Sequence, residues 1–245
     1  MGSIHQIFNI NRSGMLSFLQ GLDSASHNLA NINTTGFKGR RSNFQELLSD
    51  QLYGGTQIRS TQAMLSPGRL RKTGNGLDAA IDGDGYFQVN LPDGRSAYTR
   101  DGEFYLDENQ QIVTSDGNPL DWEGTVPEDS QDLHINPDGS VMIKQGDTWS
   151  QAGTISLAVF PNPNGLKDYG QNLYLETEVS GQAEIGTPGS APYGKLIGGA
   201  VEESNVDMAE EMSYLITMQR GFEMSLRSFQ QTDEMMSQII NVRRG

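Results

Sequence analysis

Apolar side chains recur in alternating steps of three and four along the first 32 residues. The pattern runs through Phe8, Asn11, Met15, Phe18, Leu22, Ala25, Leu29 and Ile32. Such spacing places these residues on one face of a helix and is typical of a coiled-coil seam. The pattern stops in a cluster of Asn, Thr and Gly. Gly36 is predicted to end the helix there, because glycine readily adopts the left-handed conformation.

The same spacing returns in the last 40 residues, through Met208, Met212, Leu215, Gln219, Phe222, Leu226, Phe229, Asp233 and Met236. Both ends are therefore predicted to be helices that pack on each other or bundle with copies from other chains. The residues expected to pack in this helical core are Phe18, Leu22, Leu29, Ile32, Met212, Leu215, Phe222, Leu226 and Phe229. The polar residues expected to set its register are Asn11, Gln219 and Asp233.

The periodicity changes to two in the middle of the chain. Short strands are predicted in the segments YFQVN, SAYTR, EFYLD, QIVTS, LHIN, SVMIK, TISLAVF and NLYLET. Asp-Gly pairs that favour tight turns lie between many of them, at 93–94, 101–102, 116–117 and 138–139. The middle therefore predicts an all-β domain, either a sandwich or a partly open barrel.

The fold class predicted from these patterns is α+β. Residues 1–37 and 202–245 form the N- and C-terminal helices of a coiled-coil layer, and residues 76–201 form the central all-β domain. Residues 38–75 are expected to be a linking arm, with a short helix near 43–53 and an extended remainder.

Charge separates the arm from the all-β domain. Residues 38–72 carry seven Lys or Arg against two acidic residues, a net charge of +5, whereas residues 76–199 carry a net charge of −15. We expect the arm to contact an acidic face, with the alternative that it is a solvated linker. The expected contact residues are Lys38, Arg40, Arg41, Arg69 and Arg71.

The composition argues against several kinds of chemistry. The net charge of −14 disfavours a nucleic-acid binder. There is no Cys, the three His have no ligand spacing, and DGDG at 82–85 fits a turn better than a calcium loop. No pair of carboxylates is singled out for hydrolysis. We therefore expect no catalytic residue, no metal and no cofactor. No apolar run suggests membrane insertion, and the N-terminus lacks a secretory signal pattern.

Three motifs resemble those of flagellar basal-body rod and hook proteins. They are NLANINTTGFK at 28–38, a long segment beginning GDGYFQVNLPDG at 83, and EESNVDMAEEMSYLITMQRGFEMSLRSFQQTDEMM at 202–236. The resemblance covers nearly the whole chain with the motifs in the family's order. It implies a structural protein whose terminal helices form the wall of a hollow tube and whose β-domain lies outside.

The resemblance also implies the partners and the location. These are other copies of the chain, other rod proteins, hook or hook-junction proteins, the surrounding ring proteins and the flagellar type III export apparatus. The expected place is the rod that spans the periplasm, reached without a cleaved signal peptide. Two rod members of similar size fit the length, and a secreted oligomeric β-domain that binds a ligand is the alternative from another class.

Overall fold

The structure, a computed structural model, describes residues 2–49, 52–127, 129–130 and 132–242. The chain divides into two compact units. The first, here called the helix–hairpin unit, comprises Met1–Ile32, Gly39–Met64 and Val206–Gly245. The second, the β unit, comprises Asn33–Lys38 and Leu65–Asn205. Helices at both ends and several sheets between them confirm the predicted α+β class.

Two long helices occupy the ends of the chain, α1 (Gly2–Ala30) and α2 (Met208–Val242). The carboxylate of Asp207 caps α2, since its Oδ1 accepts the backbone N–H groups of Ala209 and Glu210 at 2.8 and 3.1 Å. Helix α1 ends at Ala30, six residues before the predicted stop at Gly36. Residues 31–36 are turns, and Gly36 closes them with a φ of 65°.

The segment after α1 corrects the prediction of a short helix near 43–53. Its described residues form an antiparallel hairpin of β1 (Arg40–Ser49) and β2 (Leu52–Ala63). The register of the pair shifts at two places on β1, between Asn43 and Phe44 and between Glu46 and Leu48. Strand β1 itself contains no glycine and no β-branched residue, so its local sequence does not disfavour a helix. Pairing with β2 supplies its backbone hydrogen bonds and decides the structure.

The β unit contains sixteen described strands. They are β3 (Leu70–Lys72), β4 (Ala79–Asp82), β5 (Tyr86–Asn90), β6 (Ser96–Thr99), β7 (Phe104–Leu106), β8 (Ile112–Thr114), β9 (Trp122–Gly124), β10 (Asp132–Ile135), β11 (Ser140–Gln145), β12 (Thr148–Ile155), β13 (Leu157–Val159), β14 (Lys167–Gly170), β15 (Leu173–Leu175), β16 (Glu184–Gly186), β17 (Lys195–Gly198) and β18 (Ala200–Glu202). Every segment predicted as a strand in the middle of the chain overlaps at least one of them.

These strands form one six-stranded sheet, one four-stranded sheet and three two-stranded sheets among the described residues. The six-stranded order is β14-β15-β6-β5-β13-β16, and the four-stranded order is β10-β11-β12-β9. Strands β3 and β4 pair with β18 and β17, which lie more than a hundred residues later in the chain. The two ends of the β unit are therefore joined by antiparallel pairing.

Large apolar side chains fill the centre of the β unit. Phe87 and Phe104 are fully buried and meet edge to face, with ring centroids 5.1 Å apart. A second cluster is aromatic, and its buried rings are Tyr86, Tyr98, Phe160 and Tyr174. Gly94, Gly117 and Gly139 take positive φ in the predicted turns. The β unit thus has two buried apolar clusters of its own.

Candidate assembly interface

The contact between α1 and α2 is lined by small side chains. Ser17, Ser24 and Ala25 of α1 are buried. A Cβ added to Gly221 would lie 2.4 Å from the Phe18 ring, and one added to Gly21 would lie 2.9 Å from Met218 Sδ. The two glycines therefore let the helices approach closely, and a side chain of the opposite helix packs over each of them.

The residues predicted for the helical core divide between two environments. Seven are half-buried, namely Phe18, Leu22, Leu29, Ile32, Leu215, Phe222 and Phe229. Phe229 meets Phe8 edge to face at 5.1 Å. Met212 and Leu226 are 48% and 38% exposed, so they lie outside the contact that α1 and α2 make within one chain. Their packing against other chains stays a prediction.

The polar residues predicted to set register divide in the same way. Asn11 lies in the contact, where its Oδ1 accepts the hydroxyl of Ser228 at 3.3 Å. Its Nδ2 is buried and has no hydrogen-bond partner within the described part of the chain. Gln219 and Asp233 are exposed, whereas the described buried residues of α2 are Met218, Gly221 and Thr232. Neither sets register between the two helices of one chain.

A broad apolar surface remains uncovered on both helices. Ten large apolar side chains are at least 38% exposed, and they are Ile7, Ile10, Leu16, Leu19, Met208, Met212, Ile216, Met224, Leu226 and Met235. We call this set the exposed helical face. Apolar exposure on this scale is rare in proteins that function as monomers and marks an interaction surface.

A buried carboxamide joins three elements of the helix–hairpin unit. Asn28 of α1 is 1% exposed, and its Nδ2 donates to the Arg40 carbonyl and to Glu211 Oε1, both at 2.8 Å. Its Oδ1 accepts the Arg40 N–H at 2.8 Å, and Ser24 Oγ also donates to the Arg40 carbonyl. The first residue of β1 is therefore held by α1, and α1 is held to the first turn of α2.

A buried ionic cluster closes the β unit where its two chain ends meet. Lys38 Nζ bonds to Glu202 Oε1 at 2.5 Å and to the Ser66 carbonyl at 3.0 Å. Glu202 also accepts the Gly68 N–H at 2.7 Å, and its second oxygen lies 3.6 Å from Arg100 Nη1. Burial lowers the pKa of Lys38, and the charge of Glu202 opposes that shift.

The other residues predicted as arm contacts are accessible, whereas Lys38 is only 2% exposed. Lys38 is therefore an internal residue and is not available to a neighbouring chain, which corrects that prediction. Arg41 lies 3.6 Å from Glu210 and Arg71 lies 3.0 Å from Glu203, in pairs that remain largely exposed. Arg69 is exposed, and Arg40 is half-exposed.

Gly36 has a tertiary role that the sequence pattern did not reveal. An added Cβ would lie 2.5 Å from the Asp101 backbone nitrogen, and the Gly36 N–H donates to the Glu202 carbonyl at 2.7 Å. Beside it, Thr35 donates its hydroxyl to Asp101 Oδ1 at 2.7 Å. Burial raises the pKa of Asp101 to about 6.

Nothing in the described residues suggests a catalytic centre. They contain no group of three or more His, Asp or Glu side chains placed to hold a metal ion. A cavity of about 350 Å³ lies in the β unit between Tyr86, Arg100 and Phe160. Two nitrogens of Arg100, Nε and Nη1, are buried and have no hydrogen-bond partner within the described residues. Among the described residues, no helix combines the length and the apolar character that crossing a membrane requires.

Sequence reasoning missed Asn28 and Glu202, two buried residues whose side chains join distant parts of the chain. Asn28 lies in the apolar-periodic region, but one Asn among several there gives no signal of its own. Glu202 is the last residue of β18, after two apolar residues, and a carboxylate at a strand end is ordinarily solvent-exposed. The role of each residue depends on a partner that is distant in sequence, 183 residues away for Asn28 and 164 for Glu202. The local sequence therefore does not indicate it.

Comparison with known proteins gives the class first. Residues 80–143 match the family described as flagellar hook protein FlgE/F/G D1 domain, and residues 197–242 match flagellar basal body rod FlgEFG protein C-terminal. Both descriptions are of structural components of the flagellum.

Whole-chain relatives narrow that class. The chain is 39% identical to flagellar basal-body rod protein FlgG of Buchnera aphidicola subsp. Schizaphis graminum, over 94% of this chain and 96% of that protein. It is 37% identical to the FlgG protein of Borreliella burgdorferi, covering 95% and 96% of the two chains. It is 36% identical to that of Bacillus subtilis, covering 95% and 97%. The chain belongs to the family of flagellar basal-body rod proteins.

Proposed function

We propose that this chain is the distal-rod subunit of the flagellar basal body and polymerises into a hollow helical tube that transmits motor torque to the hook. The observation that carries the proposal is the exposed helical face, which a rod subunit would cover with other copies of itself. The shared FlgG name of the whole-length relatives supports the distal rod over the similar-sized proximal rod protein. The role of the chain is mechanical, not catalytic.

Leu226→Asp tests the helical wall. Leu226 is already 38% exposed in the single chain, so a charge there leaves the subunit folded but is costly once other copies bury it. We expect normal circular dichroism of the purified chain, no rods and no motility in a strain lacking its own rod gene. Gln230→Asp, an exposed polar residue on the same helix, is the matched control and should assemble. Motile cells with normal rods carrying Leu226→Asp would contradict the wall assignment.

An open polymer is distinguishable from a closed oligomer that binds a ligand. A heterologous interface that does not close generates filaments whose mass grows with concentration, whereas a closed trimer has fixed mass. Static light scattering over a concentration series measures the difference. A mass that reaches a small constant multiple of the monomer would favour the closed oligomer.

The proposed partners follow from this placement. Besides its own copies, the subunit would contact other rod proteins, hook or hook-junction proteins and the surrounding rings in the periplasm. The type III export apparatus would deliver it without cleavage of a signal peptide. Crosslinking from a residue of the exposed helical face, followed by mass spectrometry of purified basal bodies, would identify the neighbours. Neighbours confined to proteins outside the flagellum would contradict the proposal.

The basic arm is proposed to dock on an acidic face of a neighbouring β unit. Arg69 supports this, because it is exposed and lies beside strand β3, whereas Arg71 already has Glu203 as a partner. An exposed pair contributes about 0–1 kcal/mol and is screened by salt, but the contact repeats in every subunit. Arg69→Glu should weaken assembly at low salt, and Lys195→Glu, the same charge change outside the arm, should not. Equal assembly of both variants at every ionic strength would make the arm a solvated linker.

A further inference from the structure

The first residue of strand β1 makes its outward-facing backbone hydrogen bonds to a side chain, on the edge of the strand away from β2. Both backbone groups of its first residue, Arg40, bond to Asn28, with the N–H donating to Oδ1 and the carbonyl accepting from Nδ2. On the other side of the strand, Met64 after β2 donates its N–H to the Gly39 carbonyl at 2.7 Å. The carboxamide of Asn28 thus continues the hydrogen-bond ladder of the hairpin as a neighbouring strand would.

Only a carboxamide satisfies this geometry. Asn28 must accept one hydrogen bond and donate two, and it uses both amide hydrogens, one for Arg40 and one for Glu211. An aspartate at the same position would keep the acceptor, lose both donors and place a second negative charge beside Glu211. An aliphatic residue would leave the Arg40 N–H and carbonyl less well satisfied in a buried site.

The third bond extends the junction to α2. Glu211 lies in the first turn of α2 and is half-buried, and burial raises the pKa of its carboxyl group while the Asn28 donor opposes that shift. Asn28 can complete its hydrogen bonds only when α2 lies against α1. The state of the helix pair is therefore linked to the root of the hairpin through the buried Asn28 side chain, and the exposed pair of Arg41 with Glu210 joins the same elements more weakly.

We propose that Asn28 is a positioning residue that makes the orientation of the β1–β2 hairpin conditional on the packing of α1 against α2. The inference rests on the proposed function in one respect, namely that the hairpin belongs to the arm through which a rod subunit meets its neighbours. In a subunit whose helices are not yet paired, the hairpin then has no fixed orientation. Pairing of α1 with α2 sets that orientation. The arm becomes competent for contact only in a subunit whose wall helices are in place.

Hydrogen exchange on the full-length chain tests the coupling. Asn28→Ala should speed exchange of the Arg40 amide by about tenfold or more, the factor expected from losing one good hydrogen bond. Trypsin cleavage after Arg40 and Arg41 should rise with it, while Glu211→Ala should produce a smaller increase at the same sites. Gln20→Ala, which removes an exposed carboxamide from the same helix, should leave both readouts at the wild-type level. Unchanged Arg40 protection in Asn28→Ala would overturn the proposal.

A polarity swap keeps the test decisive if Asn28→Ala fails to fold. Asn28→Asp alone should lose the connection to α2, because two carboxylates then face each other. Adding Glu211→Gln supplies a donor from α2 and should restore part of the trypsin resistance at Arg40, because the aspartate still has no hydrogen for the Arg40 carbonyl. Glu211→Gln alone should be close to wild type. A merely structural defect at position 28 would not be repaired by a change on the other helix. No repair in the double variant would count against coupling through this bond.

Failure of this inference is distinguishable from failure of the proposed function. If the chain is a rod subunit but Asn28 is not the coupling residue, Asn28→Ala supports motility and keeps the Arg40 amide protected. If the chain is not a rod subunit, the wild-type gene fails to restore motility to a rod mutant. Asn28→Ala would nevertheless lose protection at Arg40 in the purified protein.

Discussion

The two units of this molecule bury their apolar residues to very different extents. In the β unit the largest side chains, such as Phe87 and Phe104, are completely buried. Among the described side chains of the helix–hairpin unit most buried positions are small or polar, as at Ser17 and Ala25, and most large apolar side chains other than Met218 are half-buried or exposed. One unit buries its large apolar side chains within a single chain, and the other leaves many of them exposed.

The difference shows how a polymer subunit can be stable before it assembles. Stability resides in a domain whose core does not depend on neighbours, while the helices keep their apolar surface for assembly. Small residues in the α1–α2 contact allow close approach with little burial of large side chains. The helix–hairpin unit therefore gains relatively little stability from one chain, and several copies together would supply the rest.

The largest expected effect on the free energy of unfolding comes from removing a large side chain from the core of the β unit. Phe87→Ala should lower its free energy of unfolding by about 4 kcal/mol, because a fully buried ring is lost and a cavity remains. Both tryptophans, Trp122 and Trp149, lie in this unit, so urea denaturation followed by fluorescence reports on it alone. Phe222→Ala, in half-buried surroundings on α2, should leave that transition in place. Equal shifts in the two variants would break the comparison between the units.

The second effect concerns the ionic cluster of the β unit. Lys38→Met should lower the free energy of unfolding by about 3 kcal/mol, because it leaves the buried Glu202 carboxylate without its closest partner. Arg41→Met removes an exposed cation from a pair with Glu210 in the helix–hairpin unit, and should cost less than about 1 kcal/mol. Thermal denaturation of both variants checks the contrast. A stable Lys38→Met protein would mean that Arg100 alone compensates Glu202.

The third effect is a pH dependence at Asp101. Its folded-state pKa of about 6 lies above the usual value of 3.8, so the group favours folding most in acid and loses that contribution as the pH rises from about 4 to about 6. Asp101→Asn removes the buried charge while keeping an oxygen for Thr35. The variant should gain stability over the wild type through this window, on the order of 1–2 kcal/mol by pH 7.

The matched control for that titration is Asp93→Asn. The hydrogen bonds of Arg95 lower the pKa of this exposed aspartate, so its stabilising contribution is present at neutral pH and is lost in acid. The two variants should therefore deviate from the wild type in opposite directions. Parallel pH profiles from urea titrations of the three proteins would show that Asp101 is not buried as described.

The smallest expected effect on folding belongs to the exposed helical face. Met224 is 66% exposed, and Met224→Ser should change the free energy of unfolding by less than about 0.5 kcal/mol. The same change should raise the concentration at which the chain polymerises, since the lost apolar area is buried only between subunits. Sedimentation of the variant over a concentration series measures this. A destabilised monomer that polymerises normally would place Met224 inside the subunit.

Local sequence patterns predicted the helices, strands and turns whose structure is decided by interactions between residues close in sequence. The alternating segments at β5 and β11 and the Asp-Gly turns between strands are examples. The hairpin of β1 and β2 was missed, because its strands are specified by pairing with each other and by Asn28. The contact face of α2 was also missed in part. Its heptad spacing was visible, but the sequence pattern did not show that Gly21 and Gly221 direct the approach.

The position of Glu202 has a consequence for the order in which the β unit folds. Its bond to Lys38 closes a loop across a sequence separation of 164 residues, and its bond to Gly68 spans 134. Hairpins such as β5–β6 and β10–β11 need only short loops and form early, whereas closing a long loop is entropically expensive and slow. The ionic cluster is therefore expected to form last. It can form only after the chain has been synthesised as far as Glu202, shortly before α2. A β unit truncated before residue 202 would hold its local hairpins but not its two ends.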